Sequence, residues 1–158
     1  MTAKLAAAAG LVALGLAAYT ATSARGPADL ARAWAIRLVL EHPAERHARP
    51  QSREVLGQIA LVPSADDVRP SWLRARNMEY IGVYDLNLKL LGFDVRPQAD
   101  VPLAGAHLAG DSVEVRLNPK QEHGGLEFVG RLQGDTILGR WYEVNVGGAS
   151  GTFQMWPR

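Results

Sequence analysis

The chain has 158 residues, a hydrophobic content of 47%, a charged content of 21% and a formal net charge of +1. These values are ordinary for a folded protein, and the length suits one domain plus an attachment segment. Because the net charge is nearly zero, no long-range field would draw nucleic acid to the protein, and no nucleic-acid partner is expected. The absence of cysteine excludes disulfides, thiolate metal sites and cysteine nucleophiles.

An uncharged apolar run extends from Leu5 to Ala18 and follows Lys4. It is slightly shorter than the roughly 20 residues that cross a bilayer. We predict a hydrophobic helix over residues 1–24 that serves as a membrane anchor, and the alternative is a signal peptide cleaved after Ser23 or Ala24. The expected membrane segment includes the larger side chains of this run, namely Leu5, Leu11, Val12, Leu14, Leu16 and Tyr19.

The charges flanking this run give two opposed indications of topology. Arg25, Arg32 and Arg37 follow the run and by the positive-inside rule favour a cytoplasmic C-terminal domain. The signal-like N-terminus favours export. We predict a membrane-anchored protein with its β domain on the extracytoplasmic side, and the cytoplasmic side is the alternative.

Residues 25–42 are predicted to form a second helix. Leu30, Trp34 and Leu38 recur at i, i+4 and i+8 and form one apolar stripe. Three further apolar residues would point elsewhere on such a helix: Ile36, Val39 and Leu40. The stripe is expected either to pack against the β domain or to contact a membrane surface or a neighbouring subunit.

Residues 43–77 are rich in proline and arginine and show no clear hydrophobic period. This composition is typical of an ordered connector or a wrap-around arm. Within it, Val55 to Val62 would form one short strand or a helical turn.

From Met78 onward, apolar and polar residues alternate, which predicts strands with one buried face and one solvated face. The phrase Leu108–Val113 is repeated as Leu132–Ile137, and each copy reads strand, Gly-Asp turn, strand. Two hairpins of one design predict an antiparallel meander. The expected strands span 78–90, 103–108, 112–117, 125–132, 136–144 and 151–156.

The predicted fold class is therefore mainly β with N-terminal α: a hydrophobic helix, a second short helix and a β domain at 78–158. The β domain would form a small barrel, a half-barrel or a sandwich. Its last strand is expected to pair with its first and to close the sheet.

The meander, the Gly-Asp hairpins and Gly139-Arg140-Trp141 resemble the lipocalin-like (calycin) small β-barrels over residues 78–158. The resemblance implies a barrel that binds a small apolar molecule. In lipocalins the G-x-W element lies on the first strand, whereas here it lies on the next-to-last. No lipocalin ligand residue is therefore transferred to this chain.

The residue patterns of common catalytic and metal sites are incomplete in this sequence. His42 and His47 are five residues apart with a proline between them, unlike the i, i+4 spacing of helical zinc sites. Asp111 and Asp135 lie in Gly-Asp turns, where aspartate bonds to nearby backbone amides. The loop at 148–152 lacks the final glycine of a nucleophile elbow. We predict no catalytic residue, no metal ligand and no cofactor.

Five aromatic residues are expected either to fill the core or to contact an apolar ligand: Trp72, Tyr80, Tyr84, Trp141 and Trp156. Two hypotheses of function follow. The first is a non-catalytic, membrane-anchored accessory or structural subunit whose β domain binds other subunits of a larger membrane complex. The alternative is an exported, lipocalin-like binder of a small apolar ligand.

Overall fold

The computed structural model describes residues 29–64, 77–95, 104–121, 124–144 and 147–158. Eight antiparallel strands follow one another around the sheet in chain order, and β8 pairs with β1 to close a barrel. A 3-10 helix at Leu88–Leu91 lies between β3 and β4. The strands are β1 (Ala33–His42), β2 (Glu54–Pro63), β3 (Tyr80–Asp85), β4 (Ala104–Ala109), β5 (Ser112–Gln121), β6 (Gly124–Gln133), β7 (Thr136–Glu143) and β8 (Ser150–Pro157).

The prediction of a second helix is wrong, because residues 33–42 form strand β1. Leu30, Trp34 and Leu38 are spaced by four, and this spacing places them on one face of a helix or of a strand. Ile36 and Leu40 distinguish a strand from a helix, because they share the buried face with Trp34 and Leu38 only if the period is two. The four inward positions of β1 are all buried, so burial alternates along the strand.

The predicted fold class is corrected accordingly, from two helices and a six-stranded domain to a closed barrel of eight strands. The segment Val55 to Val62, for which the sequence allowed a strand or a helical turn, lies within β2. The last strand does close the sheet, but its partner is β1, not the strand that begins near Met78.

None of the helices in the described ranges is long and apolar enough to cross a membrane. The prediction of a membrane-anchored protein with a single-pass helix is corrected on this finding. The residues on which it rested, Leu5 to Tyr19, lie outside the described residues.

The repeated Gly-Asp phrases form two tight hairpins of the barrel. Gly110 and Gly134 have φ values of 64° and 69°, whereas the aspartates that follow them do not have positive φ. A glycine with positive φ at the first central position is the type II′ pattern, whose twist matches that of the flanking strands. The two turns therefore fix the register of β4 with β5 and of β6 with β7.

The inward face of β6, β7 and β8 carries large aromatic side chains, and we call Phe128, Trp141 and Phe153 the aromatic wall. Phe128 and Phe153 meet edge to face with their ring centroids 5.2 Å apart. The Phe153 ring occupies space left by Gly130 and Gly139, where an added Cβ would lie 2.8 Å and 2.7 Å from the ring. The two glycines are required here because the ring packs directly against the sheet backbone.

Both ends of the barrel are covered by apolar side chains. At one end Leu30 is buried, and its carbonyl accepts a hydrogen bond of 3.1 Å from the Trp34 indole. At the other end the segment around the 3-10 helix contributes buried side chains, namely Leu86, Leu88, Leu91 and Phe93. The interior is thus a packed core, and a binding function depends on where that core reaches solvent.

Candidate functional site

Where β3 meets β4, small side chains alternate with tyrosines on the inward face. The inward positions are Tyr80, Gly82 and Tyr84 on β3 and Ala104, Ala106 and Leu108 on β4, and we call the first five of these residues the seam. Among the described residues, β3 and β4 pair along Tyr80–Gly82 and Ala104–Ala106. By contrast, β6 and β7 pair over their whole length.

Solvent reaches the core at the seam. Tyr80, Gly82 and Tyr84 face inward and yet are partly accessible, whereas the inward residues of β1 and of the aromatic wall are almost fully buried. The two alanines of the seam are fully buried, so they form its floor. A molecule that approaches the interior from the side of β3 would meet the tyrosines first.

The two tyrosines of the seam differ in their hydrogen bonding. The Tyr80 hydroxyl interacts with the backbone of Leu30 and with the Asp29 carboxylate. Within the described ranges, the Tyr84 hydroxyl has no hydrogen-bonding partner, and burial alone raises the pKa of Tyr84 to about 12. The hydroxyl still reaches solvent, since it is not among the buried side-chain atoms without a partner. A ligand that covers it removes its hydration, so binding favours a molecule that supplies a replacement hydrogen bond.

A second cluster with chemically active groups lies at the end of the barrel that the 3-10 helix covers. The Glu143 carboxylate accepts hydrogen bonds from the Ala149 backbone N–H at 3.0 Å and interacts with His47 Nε2 at 2.8 Å. Arg46 approaches its other oxygen at 2.7 Å. The Glu143 side chain is only 1% exposed, and the His47 ring packs on Phe93 with centroids 4.6 Å apart.

The charge of Glu143 is stabilised by its partners. Burial by itself would raise the pKa of Glu143, but the hydrogen bonds from Arg46, Ala149 and His47 together hold that pKa below its usual range. The cluster ties the connection between β1 and β2 to the turn between β7 and β8. Arg46 and His47 both contact the Glu143 carboxylate, which is the arrangement of a structural ion pair.

Sequence reasoning missed this cluster, although one signal for it was present. In β7 the inward positions are Ile137, Gly139, Trp141 and Glu143, so a carboxylate occupies an apolar face. A charged residue at a core position predicts a buried partner. The partner is His47, which is 96 residues away, and the chain pattern gives no means of identifying it.

A third carboxylate, Glu127, faces outward from β6 and is nevertheless buried. It accepts a hydrogen bond of 2.6 Å from the Tyr142 hydroxyl and pairs with Arg116. These three residues sit opposite one another on β5, β6 and β7, so the cluster is a cross-strand row of the kind that stabilises sheets.

The structure distributes the other predicted site residues between core and surface. Leu30, Trp34 and Leu38, expected at a partner or membrane contact, are buried inside the barrel. Trp141 belongs to the aromatic wall and donates from its indole to the Val39 carbonyl at 3.1 Å. Trp156 lies on β8 between inward positions, so it faces outward. Trp72 lies outside the described residues.

The remaining polar candidates lie apart from one another. The exposed Asp111 pairs with Arg131 at 3.0 Å, and Asp135 contacts its neighbour Thr136 at 3.4 Å. In the part of the chain that the structure describes, no three His, Asp or Glu side chains are grouped so that they could hold a metal ion.

We compared the chain with protein-family models, with curated proteins and with solved structures, and none of them matches. The closed antiparallel barrel of eight strands is compatible with a lipocalin-like small barrel.

The expected protein partner stays a prediction. Three outward apolar side chains on β2 and β3 are more than half exposed, at 64% for Leu56, 55% for Val62 and 56% for Val83.

Proposed function

We propose that this protein is a non-catalytic binder of a small apolar molecule, which it takes up at the seam. The observation that carries the proposal is that Tyr84 faces the apolar interior, remains partly accessible and has a hydroxyl without a partner among the described residues. The closed barrel of eight strands, which is compatible with a lipocalin-like small barrel, supports the same conclusion. Barrels of eight strands are just wide enough to be filled by side chains or to hold one small ligand.

The distribution of side-chain size favours the seam over any other part of the interior. The aromatic wall fills its side of the barrel, and Leu30 with Trp34 covers the adjacent end. At the seam, Ala104 and Ala106 contribute little side-chain volume, whereas the position beside Gly82 is taken by the Ala60 carbonyl. A ligand would therefore lie along β3 against the two tyrosines, and it would displace the fewest protein atoms there.

The non-catalytic part of the proposal is supported by how the buried carboxylates are used. Glu143 is held by Arg46, His47 and a backbone amide, and Glu127 is held by Arg116 and Tyr142. A general acid or base needs a pKa near the working pH, and the partners of Glu143 move its pKa in the opposite direction.

The test is equilibrium titration of the full-length protein with phenylnaphthylamine, a neutral apolar dye that fluoresces more strongly in apolar surroundings. We expect saturable binding of one dye molecule per chain. Tyr84→Ala is expected to change the dye affinity severalfold, because the tyrosine would form part of the site.

The matched control is Tyr142→Ala, which removes the same side chain from the outer face, where Tyr142 is 40% exposed. This variant is expected to bind the dye as the wild type does. Non-saturable binding, or equal affinities for the wild type and Tyr84→Ala, would contradict a site at the seam.

A further inference from the structure

We infer that the ligand is electrically neutral and carries a hydrogen-bond acceptor, such as a carbonyl oxygen, that accepts from the Tyr84 hydroxyl. This inference rests on the proposed function, and it names the chemical class of the molecule bound at the seam.

Two tyrosines on one strand differ in their capacity to bind a ligand. Tyr80 and Tyr84 both face inward from β3, four residues apart. The Tyr80 hydroxyl already interacts with Leu30 and Asp29, so it has little capacity left for a ligand. The Tyr84 hydroxyl has no partner in the described part of the chain, so its proton is available.

The Tyr84 hydroxyl is a hydrogen-bond donor at neutral pH. Burial raises the pKa of Tyr84 to about 12, so the phenol stays protonated throughout the physiological range. A protonated phenol in apolar surroundings donates one hydrogen bond, and its natural partner is an acceptor such as a ketone, an ester or an ether oxygen. An alkane of the same shape would leave the hydroxyl unsatisfied.

The described interior offers no partner for a charged ligand. Along the inward positions of the described strands there is no lysine or arginine that would neutralise a buried carboxylate or phosphate. The inward carboxylate, Glu143, is already paired with Arg46 and His47, so a cation would find no free countercharge there. Transfer of an unpaired charge into such an interior is strongly unfavourable.

The experiment uses three ligands with one alkyl chain length: an n-alkane, the corresponding methyl ketone and the corresponding fatty acid at a pH where it is ionised. Each displaces phenylnaphthylamine from the full-length protein. We expect the ketone to bind about five-fold more tightly than the alkane, the ratio that one neutral hydrogen bond provides, and the acid to bind most weakly.

Two conservative variants assign the preference to one hydroxyl. Tyr84→Phe is expected to bind ketone and alkane equally, whereas Tyr142→Phe, the same change on the outer face of the barrel, is expected to retain the preference. The carbonyl stretching band of the bound ketone gives an independent readout. It is expected to shift to lower frequency in the wild type and in Tyr142→Phe but not in Tyr84→Phe.

The outcomes separate this inference from the proposal beneath it. If dye and alkane bind but the ketone shows no preference, or if the preference survives in Tyr84→Phe, the inference is overturned and the binding function stands. Tighter binding of the ionised acid would overturn it as well. If neither dye nor any of the three ligands binds, the proposed function itself fails.

Discussion

On the inward face of β6, β7 and β8 lies the aromatic wall of Phe128, Trp141 and Phe153, whereas the seam of β3 and β4 consists of two tyrosines, a glycine and two alanines. The aromatic wall is buried, and its single indole N–H is satisfied by a backbone carbonyl. The seam is partly accessible, and one of its hydroxyls is unsatisfied among the described residues. The wall therefore supplies packing, and the seam supplies accessible chemistry.

This contrast shows how one closed sheet serves two purposes. Large side chains that interdigitate on one side stabilise the barrel and fix its register. Small side chains on the other side leave the sheet less strongly packed at that point. A binding site can form there at low cost to the fold, because little of the buried apolar surface depends on it.

The largest expected difference between the two regions comes from truncating one aromatic residue in each. Phe128→Ala should lower the free energy of unfolding by about 3–5 kcal/mol, since the ring is fully buried against Phe153. Tyr84→Ala should cost less than half as much, because the side chain is only partly buried. Urea denaturation followed by tryptophan fluorescence measures both values, and equal losses would refute the contrast.

The ion pair at the end of the aromatic wall should make the stability depend on pH. The pKa of Glu143 is lower in the folded than in the unfolded state. The stabilisation that its carboxylate gives the fold is therefore fully present above the pKa of glutamate in the unfolded chain, which is about 4.3. It is lost as the pH falls through the folded value. Glu143→Gln should cost about 2–3 kcal/mol at neutral pH, because the buried His47 and the Arg46 guanidinium lose their anionic partner.

The measurement is the urea midpoint of the wild type and Glu143→Gln between neutral pH and pH 3. The difference between the two proteins should shrink as the solution becomes acidic. A constant difference across that range would show that the ionised carboxylate does not stabilise the fold.

A side chain added beside the Phe153 ring should lower the free energy of unfolding by a smaller amount. Gly139→Ala should cost about 1–3 kcal/mol, because the new methyl group would lie 2.7 Å from the ring and 2.5 Å from the Gly130 Cα. Gly110→Ala serves as a comparison, since its Cβ meets nothing within 4 Å and its cost is the left-handed backbone alone. Near-ultraviolet circular dichroism should change in Gly139→Ala and remain native in Gly110→Ala.

The smallest expected effect is the loss of one hydroxyl from the seam. Tyr80→Phe should lower the free energy of unfolding by about 1 kcal/mol, because the hydroxyl loses its interactions with Leu30 and Asp29. Tyr84→Phe should leave stability unchanged or raise it slightly in the absence of ligand, because no partner is lost. A larger loss for Tyr84→Phe than for Tyr80→Phe would show that the Tyr84 hydroxyl is satisfied in the free protein.

Local patterns predicted part of this architecture well. Alternation from Met78 onward and the two Gly-Asp phrases indicate antiparallel hairpins, and β4 to β8 occur close to the expected positions. β1 was mistaken for a helix because Leu30, Trp34 and Leu38 fit both periods. A spacing of four residues does not distinguish a helix from a strand, and only Ile36 and Leu40 favour the strand.

The sequence predicted only part of the candidate site. Tyr80 and Tyr84 were predicted as residues of the core or of a ligand contact, and the structure places both at the seam. Their difference was not predictable, because it arises from the position of Asp29 and Leu30 across the end of the barrel. Glu143 was not singled out, since its partner His47 is brought to it by the fold.

By itself the sequence determined the alternation of buried and solvated positions from Met78 onward and the two Gly-Asp hairpins, because each depends on residues that are neighbours in the chain. Tertiary structure alone decided that β8 closes on β1, that Glu143 meets His47 and that the Tyr84 hydroxyl meets no partner among the described residues. These features join residues far apart in the chain. Their energies depend on burial and distance, which exist only once the sheet has closed.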